Sequence, residues 1–205
     1  MDKRLIETFE KFSIDPLYKD KLDVFLNLLK KHSVYSYQHC IRVALLCTNI
    51  GDYLHIDSKA LFYAGLLHDL GKYNTSTNLL NKRGIWTTND KILMRSHVLD
   101  AYDLLKGTFD FTAEVIVWHH KFQSDSYPEI MPTLLHNYSE KTQDLIKYYG
   151  RLVAIADVYD ALHRKNNRFG KIRNLNKAEI KEQMLLTNKD VLDLIEDLYI
   201  AGIFN

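Results

Sequence analysis

The chain has little of what breaks helices or staples folds: its 205 residues include three prolines, eight glycines and two cysteines. With so few turn residues, and with apolar positions recurring at spacings of three and four rather than alternating, the chain reads as all-α, and no stretch makes a convincing strand. Cys40 and Cys47 lie one heptad apart on one expected helix. That spacing does not suit a disulfide and differs from the paired spacing of zinc ribbons, so both read as core thiols in a reducing compartment. Neither sign of charge dominates, since 27 basic and 26 acidic side chains leave a formal net charge of +1. No global field therefore announces nucleic acid or an acidic membrane, and any anion binding must be local. No segment approaches the roughly 20 apolar residues needed to cross a bilayer. The opening "MDKRLIETFEKF" also lacks the apolar core of a signal peptide, so the expectation is a soluble cytoplasmic protein.

What the chain does have is one globular domain's worth of apolar residues, 46% of the total, enough to bury a real core. The expected organisation is N-terminal helices over 1–33 that pack on the domain, a core over 34–172, and a C-terminal helical pair over 173–205. Asp15 and Pro16 have the form of a cap and first helical residue, ahead of Leu22, Phe25, Leu26 and Leu29 on one face. A second helix is expected from Tyr35 and a third from Asp57. Polar residues between Lys72 and Thr88 predict a long loop, followed by one helix in "NDKILMRSHVLDAYDLLKG" and another in "TAEVIVWHHKF". A second polar loop, "QSDSYPEIMPT", precedes the long helical run "KTQDLIKYYGRLVAIADVYDALH", and two amphipathic helices close the chain.

Several of these helices carry a histidine or carboxylate where plain packing would use an apolar residue. His39 shares a face with Val43 and Leu46, and His97 lies beside Leu93, Met94 and Ala101. The pair His68 and Asp69 ends the apolar run from Ala64, His119 and His120 end "VIVW", and Asp157 sits in "VAIADVYDAL". Any one of them alone can be a satisfied core histidine, a helix cap or an ion pair. Together, inward imidazoles and carboxylates on five helical segments fit a metal site in the core of a bundle. Mixed nitrogen and oxygen donors without thiolate favour iron, manganese or another borderline ion over structural zinc. More than four candidates are present, which makes two divalent ions the economical expectation.

"QHCIRV", "LLHDLGK", "RSH", "VWHH" and "AIADVYDAL", in that order, resemble the HD superfamily of metal-dependent phosphohydrolases. In detail, and through "LNKRGIWTTNDKILMRSHVLDAYDLL", the chain is most similar to the HD-GYP branch of cyclic-dinucleotide phosphodiesterases over about Tyr35 to Arg168. The resemblance implies an HD-type helical bundle over the 34–172 core. It implies that His39, His68, Asp69, His97, His119, His120 and Asp157 are metal ligands, with Asp69 bridging two ions and taking part in catalysis. It also implies that Lys72 is the cation that meets the scissile phosphate.

The sequence departs from that branch in its loop. Lys121 stands where the branch has Glu after the double histidine, Ser126 replaces a Gly, and the loop to "SYP" is short. Tyr35 occupies the place where members thought to hold a third metal often carry Glu, which favours two ions. In "HRKNNRFG", Arg164, Lys165 and Arg168 can bind phosphate or form a solvated charged face. Asp160 can orient a ligand or pair with Arg42. His32, His55, His136 and His163 match no position in the family and read as surface or capping residues.

The expectation is a phosphodiesterase that hydrolyses a cyclic dinucleotide, cyclic di-GMP by default, through water activated by two metal ions. The alternatives are an HD phosphohydrolase acting on another nucleotide, or a degenerate domain that binds a nucleotide or protein without turnover. A homodimer is compatible with the apolar stripe of the N-terminal helices.

Overall fold

The computed structural model describes residues 2–164 and 174–205, and among them every regular element is helical. Helix α1 spans Lys3–Lys11 and α2 Pro16–His32, where the Asp15 carboxylate accepts the Leu17 N–H and Pro16 opens the helix as expected. Helix α3, Val34–Tyr53, begins one residue earlier than the sequence suggests because the Ser33 hydroxyl caps it by accepting the Ser36 N–H. Helix α4, Ser58–Leu67, is capped by Asp57 and leads into a 3-10 turn over Leu70–Asn74.

The loop expected from Lys72 to Thr88 is only partly irregular. It contains the end of the 3-10 turn and a short helix α5, Thr77–Leu80, whose first carbonyl bonds come from Ser76. The helix expected from Asn89 onward is two helices, α6 over Thr88–Arg95 and α7 over His97–Leu105. The break has a chemical cause: the Ser96 hydroxyl donates to the Leu93 carbonyl and the His97 ring bonds that of Met94. Side chains thus take acceptors that a continuous helix would use. Likewise α8, Asp110–Ile116, stops before the double histidine, because the Ile116 carbonyl receives both the backbone N–H and the ring of His119. Helix α9 runs from Glu140 to Leu162, and α10, Lys177–Thr187, and α11, Leu192–Ile200, complete the chain.

The centre of the bundle is α3 against α4 and α9, with α4 also on α8 and α9, and α7 packed across the 3-10 turn. Val43, Ala44, Leu61, Leu67, Leu152 and Val153 are fully buried between these helices. Cys40 and Cys47 lie in the same layer, both free and both fully buried. Helix α1 packs on α3 and α10 on α9, so the two ends of the chain brace the outer faces of the two longest helices.

Candidate metal centre

The polar residues that interrupt these apolar faces meet at one end of the bundle. His39, His68, Asp69, His97 and His119 are each at most 1% exposed, Asp157 is 9% exposed and His120 is half-buried. Their ligand atoms form three overlapping groups, each within 4.8 Å of one another: His97 with His119 and His120, His39 with His68 and Asp157, and His68 with Asp69 and His119. The third group joins the other two through Asp69, whose Oδ1 lies 3.2 Å from His97 Nε2 while its Oδ2 lies 3.3 Å from His39 Nε2.

The rings are aimed by their own backbone. His68 Nδ1 stands 2.8 Å from the carbonyl of Gly65, three residues earlier, and His97 and His119 bond Met94 and Ile116 in the same way. A carbonyl can only accept, so each Nδ1 carries the proton and each Nε2 turns a lone pair into the cluster. Among the described residues the Nε2 atoms of His97 and His119 are buried without a hydrogen bond, and that of His97 faces a carboxylate oxygen. Buried acceptors facing acceptors are costly unless a cation lies between them, and this donor set of nitrogen and oxygen without sulfur fits a borderline metal ion.

His39 is oriented from across the bundle instead. Its Nδ1 lies 2.8 Å from Asp160 Oδ2, and Arg42 holds that carboxylate with bonds of 2.6 and 3.0 Å. Asp160 therefore both orients His39 and pairs with Arg42. Substituting Asp160 with Asn should lower metal affinity about 10–100-fold with the helical fold retained, checked by equilibrium dialysis and circular dichroism.

The electrostatics favour the ligand forms of Asp69, Asp157, His119 and His120, and the protonated form of His39. Burial opposes ionisation of Asp69, but Lys72 and His68 hold it well below the carboxylate range, and His39 does the same for Asp157. Burial, with His68 and His97 nearby, lowers His119 to about 3, and burial with His119 lowers His120. Burial works against a charged His39 as well, yet bonds to Asp157, Asp160 and Asp69 raise it to about 9.

Lys72 bonds Asp69 Oδ2 from the 3-10 turn, its side chain only 17% exposed. Gly71 beside it serves close approach: a Cβ there would sit 1.9 Å from the His97 carbonyl oxygen and 2.6 Å from the Ala101 nitrogen. Gly150 does the same for α9, where a Cβ would lie 2.3 Å from Trp118 Cβ, just before the double histidine.

Arg164 reaches the rim, 3.2 Å from Asp160 and 3.8 Å from Asp157, with its Nη2 2.7 Å from His39 Nδ1. Lys165 and Arg168 lie outside the described residues. The remaining histidines stay out of the cluster: His32 bonds the Thr75 carbonyl, His136 pairs with Asp110, His163 caps α9, and His55 adopts a left-handed backbone after α3. Two contacts have no reading from the sequence. Gln123 lies 2.9 Å from His120 Nδ1, and Tyr127 stacks on the His120 ring at 4.3 Å and 26°. The only hint of them was the altered "SYP" loop.

Among known proteins, the chain is 25% identical over 186 residues to the 3'3'-cGAMP-specific phosphodiesterase 1 of Vibrio cholerae, covering 80% of this chain and 41% of that protein. It is also 25% identical over 215 residues to the cyclic di-GMP phosphodiesterase of Thermotoga maritima, covering 93% of this chain and 55% of that protein. The chain thus spans about half the length of these relatives or less. Among solved structures, the HD domain of the L. monocytogenes phosphodiesterase PgpH in complex with cyclic-di-AMP superimposes with a TM-score of 0.53 at 17% identity, over 88% of this chain and 85% of that one. At that identity the likeness speaks for the fold. Residues 36–162 match the HD domain, and this interval holds every residue of the histidine and aspartate cluster. The chain belongs to the HD domain family.

Proposed function

We propose that this chain is a metal-dependent phosphodiesterase that hydrolyses a cyclic dinucleotide at a centre of two divalent ions, iron or manganese. The observation that carries the reading is the pair of three-residue ligand groups joined through Asp69, with three imidazoles already committed at Nδ1 so that Nε2 points inward. In this reading His97, His119 and His120 hold one ion, His39, His68 and Asp157 hold the other, and Asp69 serves both. Bound there, two ions supply polarisation of a phosphate and an acidified water.

The chain's own residues do the rest. Asp69 and Asp157 remain ionised at neutral pH because of the charges beside them. Lys72, fixed in the turn next to Asp69, provides a permanent positive charge for the phosphate oxygens as negative charge grows on them. Arg164, held by Asp160 at the rim, offers a second cation to the phosphate; Arg168 is assigned the same role from the sequence alone. The reading keeps 34–172 as the catalytic core, with 1–33 and 173–205 as supports, in a reducing cytoplasmic setting that suits two free buried thiols. Among the described residues no helix is long and apolar enough to cross a membrane.

The test is a product assay by chromatography with cyclic di-GMP, 3'3'-cGAMP and cyclic di-AMP, using protein loaded with manganese or, without oxygen, with iron. A linear or mononucleotide product from at least one supports the reading. Metal uptake with no product from any of them, or product only from other nucleotides, overturns the assignment of substrate class.

A further inference from the structure

The imidazoles of the cluster are not equally anchored. His68, His97 and His119 each bond a carbonyl of their own turn, and His39 is held by a buried carboxylate. Among the described residues His120 has only the exposed Gln123 side chain at its Nδ1, so its orientation must come from elsewhere. The loop over residues 121–128 supplies it. The Tyr127 ring covers the His120 ring face and meets His97 edge-on at 6.1 Å.

Three ties hold that ring in place. Lys121 Nζ donates to the Pro128 carbonyl at 3.0 Å and draws the end of the loop back to its start. Arg95 pairs with Asp125 and places its guanidinium 5.5 Å from the Tyr127 ring centre. The Tyr127 N–H points back to the His120 carbonyl at 3.4 Å. Lys121 is also the residue that departs from the branch the sequence resembles, and a glutamate there has no proton to donate to the Pro128 carbonyl. The contacts of this loop with the cluster fall on His97 and His120, both in one ligand group, whereas the other group is served by Asp160.

We propose that Lys121 is a positioning residue that locks the 121–128 loop on His120 and sets the metal affinity of the His97, His119 and His120 group selectively. The proposal rests on the two-ion reading above. It gives the two halves of the centre separate supports, a lysine-closed loop for one and the Asp160 carboxylate for the other. The ions of such a centre can be loaded and lost separately.

The experiment is a Mn2+ titration of the chelator-treated 205-residue chain, followed by calorimetry and equilibrium dialysis, for the wild type, Lys121→Met and Lys121→Arg. Wild type is expected to take up two ions. In Lys121→Met one binding step should weaken about 10–100-fold while the other keeps its affinity, and Lys121→Arg, which retains a donor, should recover much of the loss. Tyr127→Leu removes the stacked ring directly and should weaken the same step. It stands in if Lys121→Met fails to fold by circular dichroism. Equal weakening of both steps, no change in either, or an Arg variant no better than Met overturns the proposal. Wild type that takes up fewer than two ions overturns the two-ion reading and this proposal with it, a result visible before any variant is compared.

Discussion

Under the proposed function, Asp69→Ala is expected to leave a folded protein that retains little metal and turns over a cyclic dinucleotide at least about 10²–10³-fold more slowly. The Asp69 carboxylate reaches residues of both ligand groups. Its two oxygens lie near His97 on one side and His39 and His68 on the other, and Lys72 bonds it from the turn. In the two-ion reading, removing the carboxylate takes a negative ligand from both halves of the centre at once. It also leaves the Lys72 ammonium without its partner, inside a site where the side chain is only 17% exposed. The rings of His68, His97 and His119 cannot compensate, because their Nδ1 atoms are tied to carbonyls and they have no second lone pair to offer. Elemental analysis beside the product assay checks both halves of the expectation. Full metal content in the variant would show that Asp69 is not shared by the two ions.

Gly71→Ala is expected to be nearly as damaging, for a reason unrelated to charge. The added methyl carbon would overlap the His97 carbonyl oxygen at 1.9 Å and crowd the Ala101 nitrogen at 2.6 Å. Both neighbours are backbone atoms of α7, so relief requires moving the helix, and overpacking of this kind costs about 1–3 kcal/mol or more. The displaced helix begins with His97, which must then draw away from Asp69. A lowered denaturation midpoint together with reduced metal uptake by the folded fraction is the expected pair of results. A variant as stable as wild type with full uptake would mean that α7 does not pack on the turn as described.

Much of this was legible in the chain, because each imidazole interrupts an apolar face at helical spacing and each carboxylate adjoins one. The Asp15 and Pro16 helix start was legible for the same local reason. Where sequence reading fell short, side chains had redirected the backbone. Ser96 and His97 divide one periodic stretch into two helices by taking carbonyls that the pattern assigns to the backbone. Ser76 starts a helical turn in a stretch whose polarity reads as loop. The stack of Tyr127 on His120 joins residues across a loop whose path no periodicity records, and Asp160 reaches His39 over 121 residues of sequence. The packing role of Gly71 was equally hidden, since a glycine chosen for the absence of a side chain reads the same as one chosen for a turn.

The bonds from three imidazoles to carbonyls three residues behind them make each of those ligands a property of its own helix end. Such a grip forms as soon as the helix end forms and asks nothing of the ion. Under the two-ion reading, this favours a chain that folds before the socket is filled, unlike small zinc domains in which the metal is what makes folding favourable. On that reading, one metal could be exchanged for another without the chain passing through an unfolded state.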